Sequence, residues 1–549
     1  MGLTLSAEQK NIFNIFSGRI KYIIPEYQRP YSWDREECLE LIDDLKQSFK
    51  NEENGYFLGN IVVANSLDST YQLEVIDGQQ RLTTLTLLMR VLLSFDSSNT
   101  KLKNSIWELD DRTNDIIEPR LFTKVFSDKD QTYFNEVIDI NFRIEDLDEP
   151  DKTSNQYIKN MYLFYNEIKK IKNNIEVQNF VDYILYKASL LPIQTEGADK
   201  ESAREKALRI FETINDRGKS LNDSDIFKAK LYNKALNKRK DNDFILRWNS
   251  LNDECIEIKH NIDDIFKLYT HIIRGENGLK SPESKLRDFF NKRDESPFNN
   301  EKKTYNDILN DLNSIVESIK LYKYLKNNIA KYPEITKWLQ IIDEHSNQYS
   351  YICVIVFMYK HKLYDTNILE EKQNEFIVFC KDLVRYTYHI RTTSKMQFKI
   401  YDFIIKIMHN KQIEYDIGKV DHSSFDYLGR LKKGFALIAL YLDDKQDVIM
   451  PYYFDNIINE RDIPDLDSSW EDKDPIEYID TLGQMIITDF PKRHIKLEEK
   501  LCFLEKSGFK YLQNLSEECK SWTYEKYKNR NNMLIDRLVE FFEDKNENN

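Results

Sequence analysis

Ten residues, Val75 to Thr84, limit the local structure of this chain more than any other stretch: Val-Ile-Asp-Gly-Gln-Gln-Arg-Leu-Thr-Thr. Before the turn, Tyr71, Leu73 and Val75 alternate with Gln72 and Glu74, the period of a strand with one buried face. After Asp77 and Gly78, Leu82, Leu85, Leu88 and Leu92 recur at helical spacing. The pattern predicts a strand, a tight glycine turn and a helix N-terminus. Such an end presents unpaired N–H groups and the positive pole of a dipole, which favour an anion such as phosphate. Gln79, Gln80 and Arg81 add side-chain donors in the first turn. The guanidinium can grip a phosphate through two N–H groups at once, which a lysine cannot do. The same residues also admit a plainer reading, in which Asp77 caps the helix and Arg81 pairs with a surface carboxylate.

A chain of 549 residues has room for roughly two to four domains. Hydrophobic residues at 41% and charged residues at 31% place it among globular proteins, and only 14 glycines and 12 prolines favour long helices over a turn-rich β fold. No run of about 18 uncharged apolar residues occurs and the first residues lack the pattern of a signal peptide, so a cytoplasmic protein without a membrane partner is expected. The six cysteines, Cys38, Cys255, Cys353, Cys380, Cys502 and Cys519, are scattered and predict buried thiols. His271, His345, His361, His389 and His409 are isolated and predict no metal site. A net charge of -14 argues against indiscriminate coating of nucleic acid, though a local basic surface stays open.

Upstream, Tyr22 to Trp33 reads Tyr-Ile-Ile-Pro-Glu-Tyr-Gln-Arg-Pro-Tyr-Ser-Trp. Pro25 and Pro30 fix turns, and Tyr27, Tyr31 and Trp33 surround Gln28 and Arg29. Such a segment suits base stacking with phosphate contact, or else packs its rings under the next helix, which Asp34 caps and whose buried face is Cys38, Leu41, Ile42, Leu45 and Phe49. Phe57 to Val63 reads as a buried strand, and residues 99–151 as a polar, irregular insertion or lid. Phe211-Glu-Thr-Ile-Asn215-Asp-Arg217-Gly218 reads as a helix end closed by glycine, with a new helix opening from Leu221 to Asp225. Lys230, Lys234 and Lys238, with Arg239 and Lys240, make one helix face basic.

Four of these elements together resemble the N-terminal domain of GmrSD-type restriction endonucleases, a bacterial defence family with a ParB/sulfiredoxin-like fold. They are Gln28-Arg29-x-x-x-Trp33, Phe57-Leu58-Gly59, Asp77-Gly78-Gln79-Gln80-Arg81, and Phe211-x-x-x-Asn215-x-x-Gly218 followed by Leu221-x-x-x-Asp225-x-x-Lys228. The resemblance implies an N-terminal α/β unit over 1–240, with its core at about 15–95. It implies a nucleoside triphosphate, GTP, ATP or CTP, with Mg²⁺. Asp77, Gln79, Gln80 and Arg81 would be catalytic, and Gln28, Arg29, Gly78, Thr83, Asn215, Arg217 and Gly218 would bind the nucleotide. Tyr27, Tyr31 and Trp33 would meet DNA, while Asp225 and Lys228 would hold the turn.

Residues 241–445 read as a helical domain. The remainder, 446–549, resembles the HNH-like α+β nuclease domain that ends many members of that family. Its outline persists in Phe454-Asp455-Asn456-Ile457-Ile458, Leu482-Gly483-Gln484-Met485, Lys492-Arg493-His494, and Trp522 with Arg530. Asn456 stands where the resemblance places the general-base histidine, and Gln484 replaces the asparagine that orients it. An amide cannot accept a proton near neutral pH, so the domain reads as a degenerate nuclease. The other reading is a different metal site made by Asp455, Glu460, Asp462 and His494. Between Asp455 and Asp489 there are eleven acidic against two basic residues, and from Pro491 to Asn532 ten basic against six acidic. The later segment, with Trp522, Tyr524 and Tyr527, is therefore the candidate for touching DNA or a partner.

The sequence thus predicts a mainly α protein with an N-terminal α/β unit, acting in restriction-type defence. In this reading it binds and hydrolyses a nucleoside triphosphate to gate recognition of foreign or modified DNA, and a partner nuclease or neighbouring defence protein makes the cut. The alternatives are a self-sufficient Mg²⁺-dependent endonuclease and a non-enzymatic scaffold subunit; oligomerisation stays open.

Overall fold

The computed structural model describes residues 5–66, 71–125, 130–171, 173–197, 202–204, 206–207, 210, 223–236, 240–281, 283–292, 294–300, 302–345, 348–389, 393–413, 419–443, 446–491 and 495–543. It divides into two compact units, Met1–Asn249 and Ser250–Asn549. Among the described residues no helix is long and apolar enough to cross a membrane.

The first unit is built on a mixed sheet. Its strands are β1 (Leu5–Ala7), β2 (Lys10–Asn11), β3 (Lys21–Ile24), β4 (Tyr56–Ser66), β5 (Gln72–Asp77), β8 (Leu121–Thr123) and β9 (Ala188–Gly197), while β6 (Trp107–Leu109) and β7 (Ile116–Pro119) form a separate hairpin. The order is β1-β9-β4-β5-β3-β8, with β2 also on β9. β5 lies parallel to β3 and antiparallel to β4, so the end of β5 is flanked by the loop that follows β3.

The strand expected before Gly78 is β5, with Leu73, Val75 and Ile76 buried. The helix expected after it is α2 (Gln79–Phe95); Leu82, Leu85, Leu88 and Leu92 are fully buried. Burying a leucine side chain contributes about 1.5–3 kcal/mol, so this face fixes α2 on the sheet. The opposite side of α2 is also covered, by α3 (Gln156–Lys169), which explains its near-continuous apolar run. Thr84 and Thr86 stay satisfied inside the core by donating to the carbonyls of Gln80 and Leu82, both at 2.8 Å. Asp34 caps α1 (Arg35–Lys50) in a reciprocal box with Glu37, as its sequence predicts.

Residues 99–151 depart from the expected irregular insertion. They carry the helix Thr100–Ile106, the β6–β7 hairpin, the edge strand β8 and the helix Asp130–Ile138. Strands of three or four residues are too short to show alternation in the sequence.

The second unit is largely helical. Ile262–Glu276, Tyr305–Asn327, Pro333–Asp343, Tyr349–His361, Thr366–His389 and Thr393–Met408 are its longer helices before residue 410. Later, β10 (Tyr453–Asn456) pairs antiparallel with β11 (Met485–Thr488), and Leu497–Glu505, Lys510–Cys519 and Tyr524–Glu543 follow. A core of Ile457, Ile458, Trp470, Ile486, Leu504, Leu512, Leu515 and Trp522 joins them.

Candidate functional site

Gly78 sets the geometry of the turn between β5 and α2. Its φ of 89° is left-handed, and a Cβ there would lie 2.6 Å from the Ile61 side chain on β4, so only glycine fits on both counts. Gly78 occupies the N-cap position and makes no side-chain cap bond. Asp77 does not supply one: its carboxylate accepts from the N–H of Gly78. The start of α2 is therefore not capped by Asp77, and the plainer sequence reading of that residue fails.

Arg81, in the first turn, folds back over β4. Its Nη1 donates to the Asn60 carbonyl at 2.7 Å, and a Cβ on Gly59 would stand 3.2 Å from the guanidinium carbon. Gly59 has a φ of 108° and lies where the β4–β9 register shifts, between Phe57 and Asn60. That irregularity gives the Phe-Leu-Gly element its physical reason: it opens room for the arginine. Burial pulls the Arg81 guanidinium below its usual value while Asp77 pulls it back up.

Asp77, Arg81 and Arg29 form one electrostatic cluster. Burial raises the Asp77 carboxyl above its ordinary value, opposed by the Gly78 N–H, Arg81 and Arg29. A carboxyl whose folded-state pKa is raised contributes stability below its unfolded pKa and loses it as pH rises through the folded one. At neutral pH the ionised Asp77 is thus a cost to the fold. Asp77→Asn keeps an acceptor for Gly78 and is expected to raise the Tm at pH 7, with the gain shrinking as pH falls into the carboxylate range. Thermal melts across pH check this, and an unchanged or lower Tm at pH 7 would contradict it.

The paired residues of the first turn divide between two faces, as a spacing of four requires. Gln80 and Thr84 face the loop after β3. The Gln80 Oε1 accepts from the N–H of Ser32 at 2.8 Å and of Trp33 at 3.3 Å, and its Nε2 donates to the Pro30 carbonyl at 3.1 Å. Gln80 therefore holds the loop, a role distinct from the catalytic one implied by the resemblance. Gln79 and Thr83 lie on another face. They are 6% and 3% exposed, and neither side chain hydrogen-bonds to a described residue. Buried polar groups are ordinarily paired, and within the first two turns of α2 these two side chains differ in this from Gln80 and Thr84.

The loop side chains are arranged differently from the stacking reading. Tyr27 and Tyr31 are 3% and 8% exposed. The Tyr27 hydroxyl donates to Glu74 at 2.6 Å, and Glu74 in turn accepts from buried Arg204 at 2.5 and 2.7 Å. Tyr31 stacks on Tyr157 with ring centroids 4.9 Å apart, and its hydroxyl meets Thr84 at 2.7 Å. Neither ring is available to a base. Trp33 is half-buried, packed on the core of the unit. Gln28, read as a nucleotide ligand, is buried and donates to the carbonyl of Ile76 at 2.9 Å, which ties the loop to the end of β5. Arg29 is exposed. The residues missed by sequence reasoning, Asn160, Tyr157 and Glu74, act through contacts between distant segments that no local pattern marks.

Asn215, Arg217 and Gly218 lie outside the described residues, as do Phe211 and Leu221. On the helix Asp223–Leu236, Lys228 is 8% exposed, and burial pushes its ammonium down to about 8 while Asp225 pulls it up. Lys230 and Lys234 on the same helix are half-buried.

In the second unit the elements quoted for the C-terminal resemblance meet around the β10–β11 hairpin. Asn456 pairs with Met485, and the Ile457 N–H donates to the Gln484 carbonyl at 2.6 Å. Gln484 is fully buried and its Oε1 accepts from the Trp522 indole at 3.2 Å, while Arg530 donates to the Gly483 and Met485 carbonyls at 3.1 and 3.0 Å. Asp455 forms an ion pair with Lys500 at 2.9 Å; the lysine side chain is 0% exposed and also donates to the carbonyls of Asn456 and Ile457. His494 lies outside the described residues. Trp522 and Tyr527 are 5% and 4% exposed, so they belong to the core and not to a binding surface. Among the described residues no group of three or more His, Cys, Asp or Glu side chains is arranged to hold a metal ion.

Residues 12–232 match the family described as the GmrSD restriction endonuclease, N-terminal domain. An uncharacterized protein of Methanocaldococcus jannaschii is 28% identical over 296 residues, which is 48% of this chain and 47% of that protein. The chain thus spans about half the length of this relative.

Proposed function

Residues 12–232 being a GmrSD-type restriction endonuclease N-terminal domain, we propose that the chain is a restriction-type defence protein that binds and hydrolyses a nucleoside triphosphate at the Gly78 turn. Its nucleotide state gates recognition of foreign or modified DNA. The observation that carries this reading is the pair of buried side chains without partners among the described residues, Gln79 and Thr83, beside a helix start that lacks a side-chain cap. Arg29 and Arg81 flank the same turn through their common neighbour Asp77.

In this mechanism the first N–H groups of α2 receive a phosphate, and Arg81, steadied by the Asn60 carbonyl, directs its other donors at the same charge. Exposed Arg29 closes from the loop side. The Gln79 carboxamide, donor and acceptor together, orients a phosphate oxygen or the attacking water, and Thr83 adds a hydroxyl from the next turn. Asp77 is the carboxylate that would hold Mg²⁺ through water, and the ion would neutralise charge on the phosphates.

Strand cutting falls to a partner nuclease. Asn456 cannot take a proton, and Asp455 is already neutralised by Lys500. The test is hydrolysis of GTP, ATP and CTP by the full chain with Mg²⁺, alone and with unmodified or modified phage DNA, the DNA being run on a gel afterwards. Turnover stimulated by one DNA class without cleavage is the expected result. Cleavage by the pure chain would replace this reading with that of a self-sufficient endonuclease, and absence of both binding and turnover would leave a scaffold.

A further inference from the structure

Asn160 on α3 plays no part in the sequence motifs, yet it completes the hold on the loop that carries Arg29. It is 1% exposed, and its Nδ2 donates to the Tyr31 hydroxyl at 2.9 Å and to the Trp33 carbonyl at 2.8 Å. Gln156, one turn earlier, donates to the Asn160 Oδ1 at 3.1 Å and fixes the direction of the amide. From α2, Gln80 bonds Pro30, Ser32 and Trp33. Two carboxamides on different helices therefore fix the chain from Pro30 to Trp33, while the adjacent Arg29 remains exposed beside Asp77.

We propose that Asn160 is a positioning residue: through Tyr31 and Trp33 it holds Arg29 against the Gly78 turn and so sets the affinity of that site for the phosphates of a nucleotide. This inference rests on the reading of the turn as a nucleotide site. The physical reason is preorganisation. An arginine on an unanchored loop loses conformational freedom when it closes on a ligand, and a loop already fixed by buried hydrogen bonds has lost it beforehand.

Asn160→Asp tests this with almost no change of shape. It removes both donors and sets a carboxylate against the Trp33 carbonyl. Calorimetric titration of the full chain with GTP, ATP and CTP is expected to show about tenfold weaker binding of the preferred nucleotide. The loss should not add to that of Arg29→Ala, because both act through one side chain, but it should add to that of Arg81→Lys. Tyr31→Phe removes one of the two Asn160 bonds, together with the Tyr31–Thr84 contact, but keeps the bond to the Trp33 carbonyl and should give a smaller loss; it carries the test if Asn160→Asp fails to fold by circular dichroism. Wild-type affinity in these variants, or a loss that adds in full to Arg29→Ala, overturns the positioning role alone. A wild-type chain that binds none of the three nucleotides overturns the nucleotide reading and this inference with it.

Discussion

Arg81→Lys is expected to weaken nucleotide binding by about thirtyfold or more while leaving the secondary structure intact. The scale follows from charge-assisted hydrogen bonds, worth about 1.5–3 kcal/mol each, and from about 1.4 kcal/mol per tenfold in affinity. A lysine keeps the charge, so a site that needed only charge would be little affected. The guanidinium does two things at once: it donates to the Asn60 carbonyl, and it fills the space over Gly59 opened by the irregularity in β4. An ammonium cannot span both the carbonyl and a phosphate with fixed geometry. The fold should persist, because α2 is held by the fully buried Leu82, Leu85, Leu88 and Leu92, which the substitution leaves in place. Calorimetric titration beside circular dichroism decides the matter, and an affinity equal to wild type would remove Arg81 from the phosphate site.

The second large effect is expected in the other unit, where Lys500→Met should cost about 3–5 kcal/mol of stability. The ammonium is fully enclosed, paired with Asp455 and donating to two backbone carbonyls. Removing it leaves the Asp455 carboxylate, itself 4% exposed, charged and unpaired in the interior. Asp455→Leu with Lys500→Met removes both charges and should recover most of the loss, since desolvation offsets much of the value of a buried pair. Thermal unfolding of the two variants measures this. A single variant as stable as wild type would mean that water reaches Asp455. The pair also bears on chemistry, because a carboxylate already paired with a buried ammonium is poorly placed to bind a divalent ion.

These two sites differ in how far they could be read beforehand. Around Gly78 the features are local. Alternation before the turn, helical spacing after it and a glycine between them specify backbone states within a few residues, and the structure has the strand, the left-handed glycine and the helix in those places. The Phe-Leu-Gly element was visible as letters, but its reason, room for Arg81, needed β4 and α2 side by side. Asp455, Gln484, Trp522 and Arg530, far apart in the sequence, assemble around one hairpin. Lys500 was not visible, because one lysine in an amphipathic segment carries no sign that it points inward.

The sequence by itself determined the elements and the chemical types at the turn, because backbone conformation and periodicity are set by near neighbours. Only the tertiary structure decided which side chain does what. It assigned Gln80 to the loop and left Gln79 without a partner among the described residues, although the two are adjacent and chemically identical. It buried Tyr27 and Tyr31, whose aromatic letters read equally well as a stacking surface. It also brought in Asn160, 129 residues from Tyr31, to finish the loop. The physical reason is that a side chain's availability depends on what packs over it, and here the covering groups come from segments 48 to 130 residues away, beyond the reach of any local pattern.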